Sequence, residues 1–290
     1  MRRAAKAASA LLALALLLTA CAVPAAETAA GTAGTALEAY FFDAGKADAI
    51  LLTTANSAVL IDTGEQGFGK TILTRLEEMG IARLDILIVT HFDQDHVGGA
   101  AKVLNSIPVG TVLQSNQPKD SEEYEKYTAA LSKAGIEPVT VRETYEFTLD
   151  GVSYTVDPPR QLEYGEDSSN NSSLIVSVRN GDDRFLFTGD AQTARLAEFL
   201  ETGSAACDVL KLPHHGQDEP LLDALLAAAS PSYAVITSSA EEPESDAAVR
   251  ALEEAGIRVL RTRNGPVILR SDGTAVTPGV IARTPFVRFS

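Results

Sequence analysis

The stretch from Asp85 to Gly99, DILIVTHFDQDHVGG, constrains the fold more than any other part of this sequence. It begins with a six-residue apolar run, Asp85 to Thr90, which is rich in Ile and Val and predicts a buried strand. The residues from Val97 onward predict the start of a helix. Between the two elements lie four side chains of the types that bind divalent metal ions: His91, Asp93, Asp95 and His96. Because the backbone must curl in this strand-to-helix turn, we expect the four side chains to converge on one or two ions.

The alternative interpretation of this stretch is a solvated polar turn, because Asp is common in turns and at helix N-caps. The distribution of histidine favours metal binding instead. The chain has only four His residues, and they lie in two short segments that each follow an apolar strand: His91, His96, His214 and His215. No histidine is placed anywhere else in the chain, so we predict a metal site.

The N-terminus resembles a bacterial lipoprotein signal. Residues 1–20 combine a positively charged start with an apolar segment, Leu11 to Ala20, that is too short to span a membrane as a stable helix. The sequence LTAC, ending at Cys21, resembles a lipobox, in which the Cys is acylated after cleavage. An ordinary signal peptide with a chance Cys is the alternative. We expect an extracytoplasmic protein held by lipid on Cys21 at the bacterial cell membrane, with residues 21–36 as a flexible tether and 37–290 as the folded domain.

The net charge of the chain restricts the kinds of partner that it can bind. The formal net charge is −15, and removal of residues 1–20 would leave 21 Lys and Arg against 39 Asp and Glu, a net of −18. Such a charge opposes general binding to nucleic acid or to anionic lipid. With Cys21 lipidated, only Cys207 remains, in the apolar run CDVLKL, so we predict a buried thiol and no internal disulfide.

Periodicity and turn residues predict a mixed α/β (α+β) fold in two similar halves. Predicted strands are 37–42, 49–53, 58–61, 85–90, 109–114, 137–141, 144–148, 152–156, 174–178, 184–188, 208–212, 233–237, 258–260, 267–270 and 274–276. Predicted helices are 69–80, 97–106, 121–134, 192–202, 219–229 and 246–255. Each half opens with antiparallel strands and continues as strand–helix alternation, which two face-to-face mixed sheets with helices outside would accommodate. Residues 157–171 predict a loop long enough to suspect a function.

Several polar side chains share one position, the C-terminal end of an apolar strand. Asp62 follows VLI, Asp190 follows FLFTG, and His214 and His215 follow VLKLP. The segment from His91 to His96 has the same position. Ligands at neighbouring strand ends can meet at one edge of the sheets, so these residues are candidates for a single site.

These motifs together resemble the metallo-β-lactamase fold family and, within it, the ComEC/Rec2-like branch of competence proteins. The matching stretches are FFDAGKADAILL (41–52), LIDTG (60–64), ILIVTHFDQDHVGG (86–99), NNSSLIVSV (170–178), FLFTGD (185–190), DVLKLPHHG (208–216) and RTRNGPVILRSDG (261–273). The resemblance covers roughly residues 37–276. It implies a four-layer αββα sandwich with a hydrolytic centre of one or two divalent metal ions, Zn²⁺ or Mn²⁺, at one edge.

The resemblance also implies a ligand set. The broad family pattern is His-x-His-x-Asp-His, and here Asp93 stands at the second His position, as is usual in the ComEC-like branch. By this analogy His91 and Asp93 would hold the first metal ion. The remaining ligands implied for the second ion and for the bridge are Asp95, His96, one of His214 or His215, and Asp190 as the bridging carboxylate.

Two asparagines take the place of a further histidine that many family members carry. Asn170 and Asn171 stand there, as in the ComEC-like branch, and together with Asp62 they are candidates to support the first site or the substrate. The first site is then poorer in nitrogen, which makes Mn²⁺ a competitor of Zn²⁺.

The implied chemistry is hydrolysis by metal-activated water, with Asp190 placing the water and Asp95 orienting it or accepting its proton. The expected substrate is a phosphodiester, DNA included, although Gln217-Asp218 replaces the Ser that usually follows HHG in the family. No Walker-type phosphate loop is evident, so no nucleotide cofactor is expected. The alternatives are a hydrolase of cell-envelope phosphodiesters, one of an ester or lactone, or a catalytically silent, lipid-anchored binding or scaffold protein.

Overall fold

Two mixed β-sheets form the centre of the protein in a computed structural model that describes residues 35–165 and 168–279. The strands are β1 (Leu37–Phe41), β2 (Ile50–Thr53), β3 (Ala58–Ile61), β4 (Leu84–Val89), β5 (Val109–Gln114), β6 (Val139–Thr140), β7 (Tyr145–Leu149), β8 (Val152–Asp157), β9 (Ile175–Asn180), β10 (Asp183–Phe187), β11 (Val209–Lys211), β12 (Tyr233–Ile236), β13 (Arg258–Arg261), β14 (Val267–Ser271) and β15 (Val276–Pro278). The helices are α1 (Gly69–Glu78), α2 (Gln94–Val97), α3 (Ala100–Leu104), α4 (Glu122–Ala134), α5 (Ser168–Asn171), α6 (Thr193–Leu200), α7 (Leu222–Ala229) and α8 (Asp246–Glu254). Residues 1–34, with the predicted signal peptide and most of the tether, lie outside the described residues. Within the described ranges, every helix is too short or too polar to cross a membrane.

The two sheets have the same pattern of strand pairing, which agrees with the predicted similarity of the two halves. The first has the order β15-β14-β1-β2-β3-β4-β5-β6, and the second has the order β13-β12-β11-β10-β9-β8-β7. In each, the earlier strands pair antiparallel and the later strands pair parallel. The exception is the last hairpin, β14–β15, which leaves the second half and completes the first sheet beside β1.

Both faces of the central strands are buried, which explains their continuous apolar sequences. In β4, Ile86 and Ile88 belong to the core between the two sheets, whereas Leu87 and Val89 belong to a second core on the outer face. That outer core includes side chains of α1, α3 and α4, and a third core packs α6, α7 and α8 on the second sheet. The predicted four-layer αββα sandwich is therefore confirmed. Cys207 is a buried free thiol, as predicted.

The structure corrects the predicted helix over residues 97–106. Two short helices, α2 and α3, lie there instead, and they are separated at Gly98-Gly99. A Cβ atom on Gly99 would lie 2.3 Å from the carbonyl oxygen of Thr63. The glycine pair therefore lets the loop after β3 pack directly against the turn that carries the candidate ligands. The predicted loop over residues 157–171 also ends in the short helix α5.

Candidate metal centre

The candidate ligands meet because four strands end at one edge of the sandwich. Asp62 follows β3, His91 follows β4, and Asp190 and His215 come after β10 and β11. The strands of each pair, β3 with β4 and β10 with β11, run parallel. The backbone N–H of Leu174, before β9, donates to the Thr90 carbonyl at 2.9 Å and joins the two sheets here.

The backbone is strained at this edge. Five non-glycine residues of the described ranges have positive φ, and three of them are Asp62 at 54°, His214 at 47° and His215 at 54°. Such conformations persist where the surrounding structure holds them, and they concentrate at functional sites. The strain therefore points to the same edge as the candidate ligands do.

A tight cluster of four donors forms at this edge. His96 Nε2 lies 3.2 Å from one oxygen of Asp190, and His215 Nε2 lies 3.1 Å from the other. Asp95 Oδ2 lies 3.3 Å from the same nitrogen of His215. One atom from each of these four residues lies within 4.8 Å of the others. The Asp95 side chain is 27% exposed, so it gives the otherwise buried cluster its contact with solvent.

The donor atoms of the cluster fit a divalent ion. The Nε2 atoms of His96 and His215 and the Oδ1 atom of Asp190 are buried without a hydrogen-bond partner. Buried polar atoms in folded proteins are nearly always partnered, because leaving them unpaired is costly. Imidazole nitrogen and carboxylate oxygen are both common ligands of zinc and manganese. A metal ion between these residues would satisfy all three atoms.

Asp62 orients the His96 ring. The Nδ1–H of His96 donates to Asp62 Oδ2 at 2.8 Å, which leaves Nε2 facing the cluster. The backbone N–H and the hydroxyl of Thr90 donate to the two oxygens of Asp62 at 2.8 and 2.6 Å. Asp62, Asp48 and His96 also form a second group of potential metal donors. Since the Asp62 oxygens already accept these bonds, we interpret Asp62 as a residue that positions His96.

A buried lysine, which the sequence did not indicate as a site residue, lies beside Asp190. Lys211 Nζ lies 2.5 Å from Asp48 Oδ2 and 3.6 Å from Asp190 Oδ1, and it donates to the Gly189 carbonyl at 2.9 Å. Its side chain is fully buried. The available signal was a charged residue inside the apolar strand β11.

Asp48 also fixes the second histidine of the cluster. The Thr237 hydroxyl donates to Asp48 Oδ1 at 2.7 Å, so it must accept from the His215 Nδ1–H, which lies 3.0 Å away. This chain of bonds leaves His215 Nε2 facing Asp190. Asp48 and Thr237 are 189 residues apart in sequence, and no local pattern connects them.

The pair predicted to hold the first ion is less complete. His91 Nε2 lies 3.9 Å from Asp93 Oδ1 and is buried without a hydrogen-bond partner. Asp93 Oδ1 accepts from Lys119 Nζ at 2.5 Å and from the Ser169 hydroxyl. In the described part of the chain, His91 and Asp93 belong to no group of three mutually close donors.

The remaining predicted residues lie beside the cluster. His214 Nε2 is 3.5 Å from the Asn170 side-chain amide, so the structure brings His215 and not His214 to the four-donor cluster. The Asn171 side-chain oxygen accepts from the Arg195 backbone N–H at 3.0 Å. This bond joins α5 to α6. The side-chain oxygen of Asn171, which the sequence suggested as support for the first ion or the substrate, therefore has a structural contact.

Comparison with known proteins identifies the family. A family model of the metallo-beta-lactamase superfamily matches residues 42–238. The chain belongs to the metallo-beta-lactamase superfamily. It is 31% identical over 227 residues to Competence protein ComA of Neisseria gonorrhoeae and 29% identical over 213 residues to ComE operon protein 3 of Bacillus subtilis (strain 168). These matches confirm the predicted resemblance to the ComEC/Rec2-like branch.

The metallo-beta-lactamase domain accounts for only part of those relatives. The matches cover 76% and 69% of this chain but 30% and 26% of the two competence proteins, so the chain spans less than a third of their length. Among solved structures, Igni18, a metallo hydrolase from the archaeon Ignicoccus hospitalis KIN4/I, is similar with a TM-score of 0.54 and 16% identity, over 81% of this chain and 98% of that one. That likeness supports the fold.

The carboxylates of the four-donor cluster favour the charged form of His96 and His215 in the metal-free protein. Burial alone would lower the pKa of His215, but Asp190, Asp48 and Asp95 outweigh burial and raise the pKa to about 10. The pKa of His96 is likewise raised well above its ordinary value despite burial, mainly by Asp190 and Asp62. Both rings are therefore protonated at neutral pH until an ion displaces their protons.

The affinity of the site for a metal ion is expected to decrease as the pH is lowered across the neutral range. Because the imidazoles of His96 and His215 must lose their protons to bind an ion, the affinity should drop by about tenfold per pH unit for each proton displaced. Calorimetric titration with Zn²⁺ in buffers of different ionisation enthalpy would measure both the affinity and the number of protons released. An affinity that stays constant from about pH 6 to about pH 8, with no proton release, would contradict this prediction.

Proposed function

We propose that this protein is a metal-dependent phosphodiesterase that acts outside the cell while held to the membrane by lipid on Cys21. The observation that carries the catalytic part is the cluster of His96, His215 and Asp190, whose buried Nε2 and Oδ1 atoms have no hydrogen-bond partner, beside the partly exposed Asp95. The protein belongs to a superfamily of metallo-hydrolases and is similar to competence proteins, and both findings support a hydrolytic activity.

The residues of the cluster have distinct roles in this proposal. His96, His215 and Asp190 would hold a divalent ion, with Asp95 as a further ligand or as the group that handles the proton. The ion would lower the pKa of a water molecule and polarise the phosphoryl group. Burial opposes the charge of Asp95, but His96 and His215 lower the pKa of its carboxyl to about 2. Asp95 is therefore ionised at neutral pH, and its carboxylate would either bind the ion or accept a hydrogen bond from the attacking water.

A neighbouring cavity offers space for the substrate. It measures about 660 Å³, and its lining includes Lys119 and Ser169, which both contact Asp93, together with Asn116, Gln117 and Arg142. Amide groups and two cations suit an anionic, hydrogen-bonding substrate. The net charge of −15 opposes binding along a long polyanion, so a small phosphodiester or a chain end is favoured over the interior of duplex DNA.

The test is hydrolysis by the purified full-length protein in detergent. After chelation and reloading with Zn²⁺ or Mn²⁺, we expect cleavage of bis(p-nitrophenyl) phosphate at least about 10³-fold above the metal-free rate, because a metal ion contributes several kcal/mol of transition-state stabilisation. DNA, a lipid-like phosphodiester and a lactone are compared in parallel. A metal-loaded, folded protein that cleaves none of these would exclude the phosphodiesterase and favour the binding or scaffold protein.

The location is tested with the same assay. We expect phosphodiesterase activity in the membrane fraction of bacterial cells that make the wild-type protein, because multiple acyl chains on one residue anchor a protein stably. A Cys21→Ser variant should move the activity to the soluble extracytoplasmic fraction or the medium. Activity that stays in the membrane fraction in that variant would contradict the lipid anchor.

A further inference from the structure

The carboxylate of Asp93 is already bound to protein groups. Its Oδ1 atom, the one nearest to His91, accepts from the ammonium of Lys119 at 2.5 Å and from the hydroxyl of Ser169. A carboxylate oxygen has two lone pairs, so these two donors use the acceptor capacity of that atom. Lys119 also lies 3.4 Å from the Ser169 hydroxyl, which closes a small triangle of contacts around the Asp93 carboxylate.

The other ligand of this pair, His91, is held only through its Nδ1 atom, which lies 3.2 Å from the Thr90 hydroxyl and 3.3 Å from the Ser173 hydroxyl. His91 Nε2 is fully buried and has no hydrogen-bond partner, and the nearest oxygen of Asp93 lies 3.9 Å away. In the described ranges, no third His, Cys, Asp or Glu side chain completes the pair, whereas four such donors surround the space between His96 and His215. Two donor residues, one of which has an oxygen already bound to Lys119 and Ser169, are fewer than the three protein ligands that catalytic zinc sites provide.

We infer that the ammonium of Lys119 takes the place of the first metal ion, so that this protein has one tightly bound ion, held by His96, His215, Asp190 and Asp95. This inference rests on the metal chemistry of the proposed function but not on its substrate. The ammonium offsets the negative charge of Asp93, and it repels a divalent ion from the same carboxylate.

Metal stoichiometry tests the inference directly. The metal-free full-length protein is titrated with Zn²⁺ or Mn²⁺ under equilibrium dialysis, with metal content measured by elemental analysis. We expect about one tightly bound equivalent per chain in the wild type, and a second equivalent bound at least about tenfold more tightly in Lys119→Met than in the wild type, since neighbours of metal ligands change affinity on that scale. Lys133→Met, on the exposed end of α4, is the matched control and should behave as the wild type does.

A second variant keeps the test independent of Lys119. His91→Ala should still bind about one equivalent, and the visible spectrum of its Co²⁺ form should match that of the wild type, because His91 is outside the occupied site. The inference would be overturned by two equivalents of similar affinity in the wild type, or by loss of the tight equivalent in His91→Ala. Neither result would contradict the proposed phosphodiesterase function. No bound metal in any of these proteins would overturn both the inference and the proposed function.

Discussion

Replacing Asp190 by Asn is expected to lower metal-dependent hydrolysis by roughly 10³-fold or more, because in the proposed mechanism a metal ion would contribute several kcal/mol to the transition state and Asp190 would hold that ion together with His96 and His215. The two oxygens of Asp190 lie 3.2 Å from His96 Nε2 and 3.1 Å from His215 Nε2. Asn retains the size of the side chain but removes its negative charge and one of the two acceptor oxygens. The tight metal equivalent should be lost together with the activity.

The charge of Asp190 matters because the site is otherwise rich in positive charge. Burial opposes ionisation of Asp190, but His215 and His96 lower the pKa of its carboxyl well below the ordinary value. Lys211 Nζ lies 3.6 Å from Asp190 Oδ1, the oxygen that also faces His96. An uncharged Asn would leave two imidazoles and one ammonium without this carboxylate, which disfavours the approach of a divalent ion.

The measurement is metal content and hydrolysis rate for Asp190→Asn beside His96→Ala and a matched control. Asp182→Asn is that control, because Asp182 is exposed in the turn between β9 and β10, at the end of β10 away from Asp190. We expect both site variants to lose metal and activity while Asp182→Asn keeps them. An Asp190→Asn protein that binds metal and hydrolyses substrate as the wild type does would remove Asp190 from the site.

Replacing Lys211 by Met is expected to reduce the free energy of unfolding by about 3–5 kcal/mol, which is the usual cost of breaking a buried ion pair from one side. The side chains of Lys211 and Asp48 are buried, with relative exposures of 0% and 1%. Lys211 Nζ lies 2.5 Å from Asp48 Oδ2. Burial alone would raise the pKa of the Asp48 carboxyl, but Lys211 and His215 hold it below its ordinary value. Without Lys211, Asp48 must stay buried as an unpaired charge or take up a proton.

A double variant separates the ion pair from packing. Met has nearly the volume of Lys, so Lys211→Met combined with Asp48→Asn removes both charges without leaving a large cavity, and it should recover a substantial part of the lost stability. Urea unfolding of the metal-free proteins, followed by circular dichroism, measures the difference. Lys133→Met should change the free energy of unfolding by less than about 0.5 kcal/mol, as exposed substitutions usually do. A Lys211→Met protein as stable as that control would contradict the buried pair.

The order of elements could be predicted from the sequence because it depends on local patterns. All of β4 except Leu84, and the candidate donors after it, lie in the run of fifteen residues from Asp85 to Gly99, in which an apolar segment is followed by four side chains of metal-binding types. The helix α4 has Ser121 as its N-cap and Gly135 in the left-handed conformation at its end, and both signals are legible in the sequence. The break between α2 and α3 at Gly98-Gly99 was not predicted, because it depends on a close contact with Thr63, which is distant in the sequence.

The sequence by itself therefore determined the alternation of strands and helices and the set of residues that compete for the metal. Only the tertiary structure decided which of two adjacent histidines faces Asp190, because the choice of His215 over His214 depends on two consecutive positive φ angles and on Thr237 from another strand. It also decided that Lys211 meets Asp48 and that Lys119 meets Asp93. Periodicity reports which face of an element is buried, whereas these pairings depend on strand order and on the approach of the two sheets, which bring together side chains far apart in the chain.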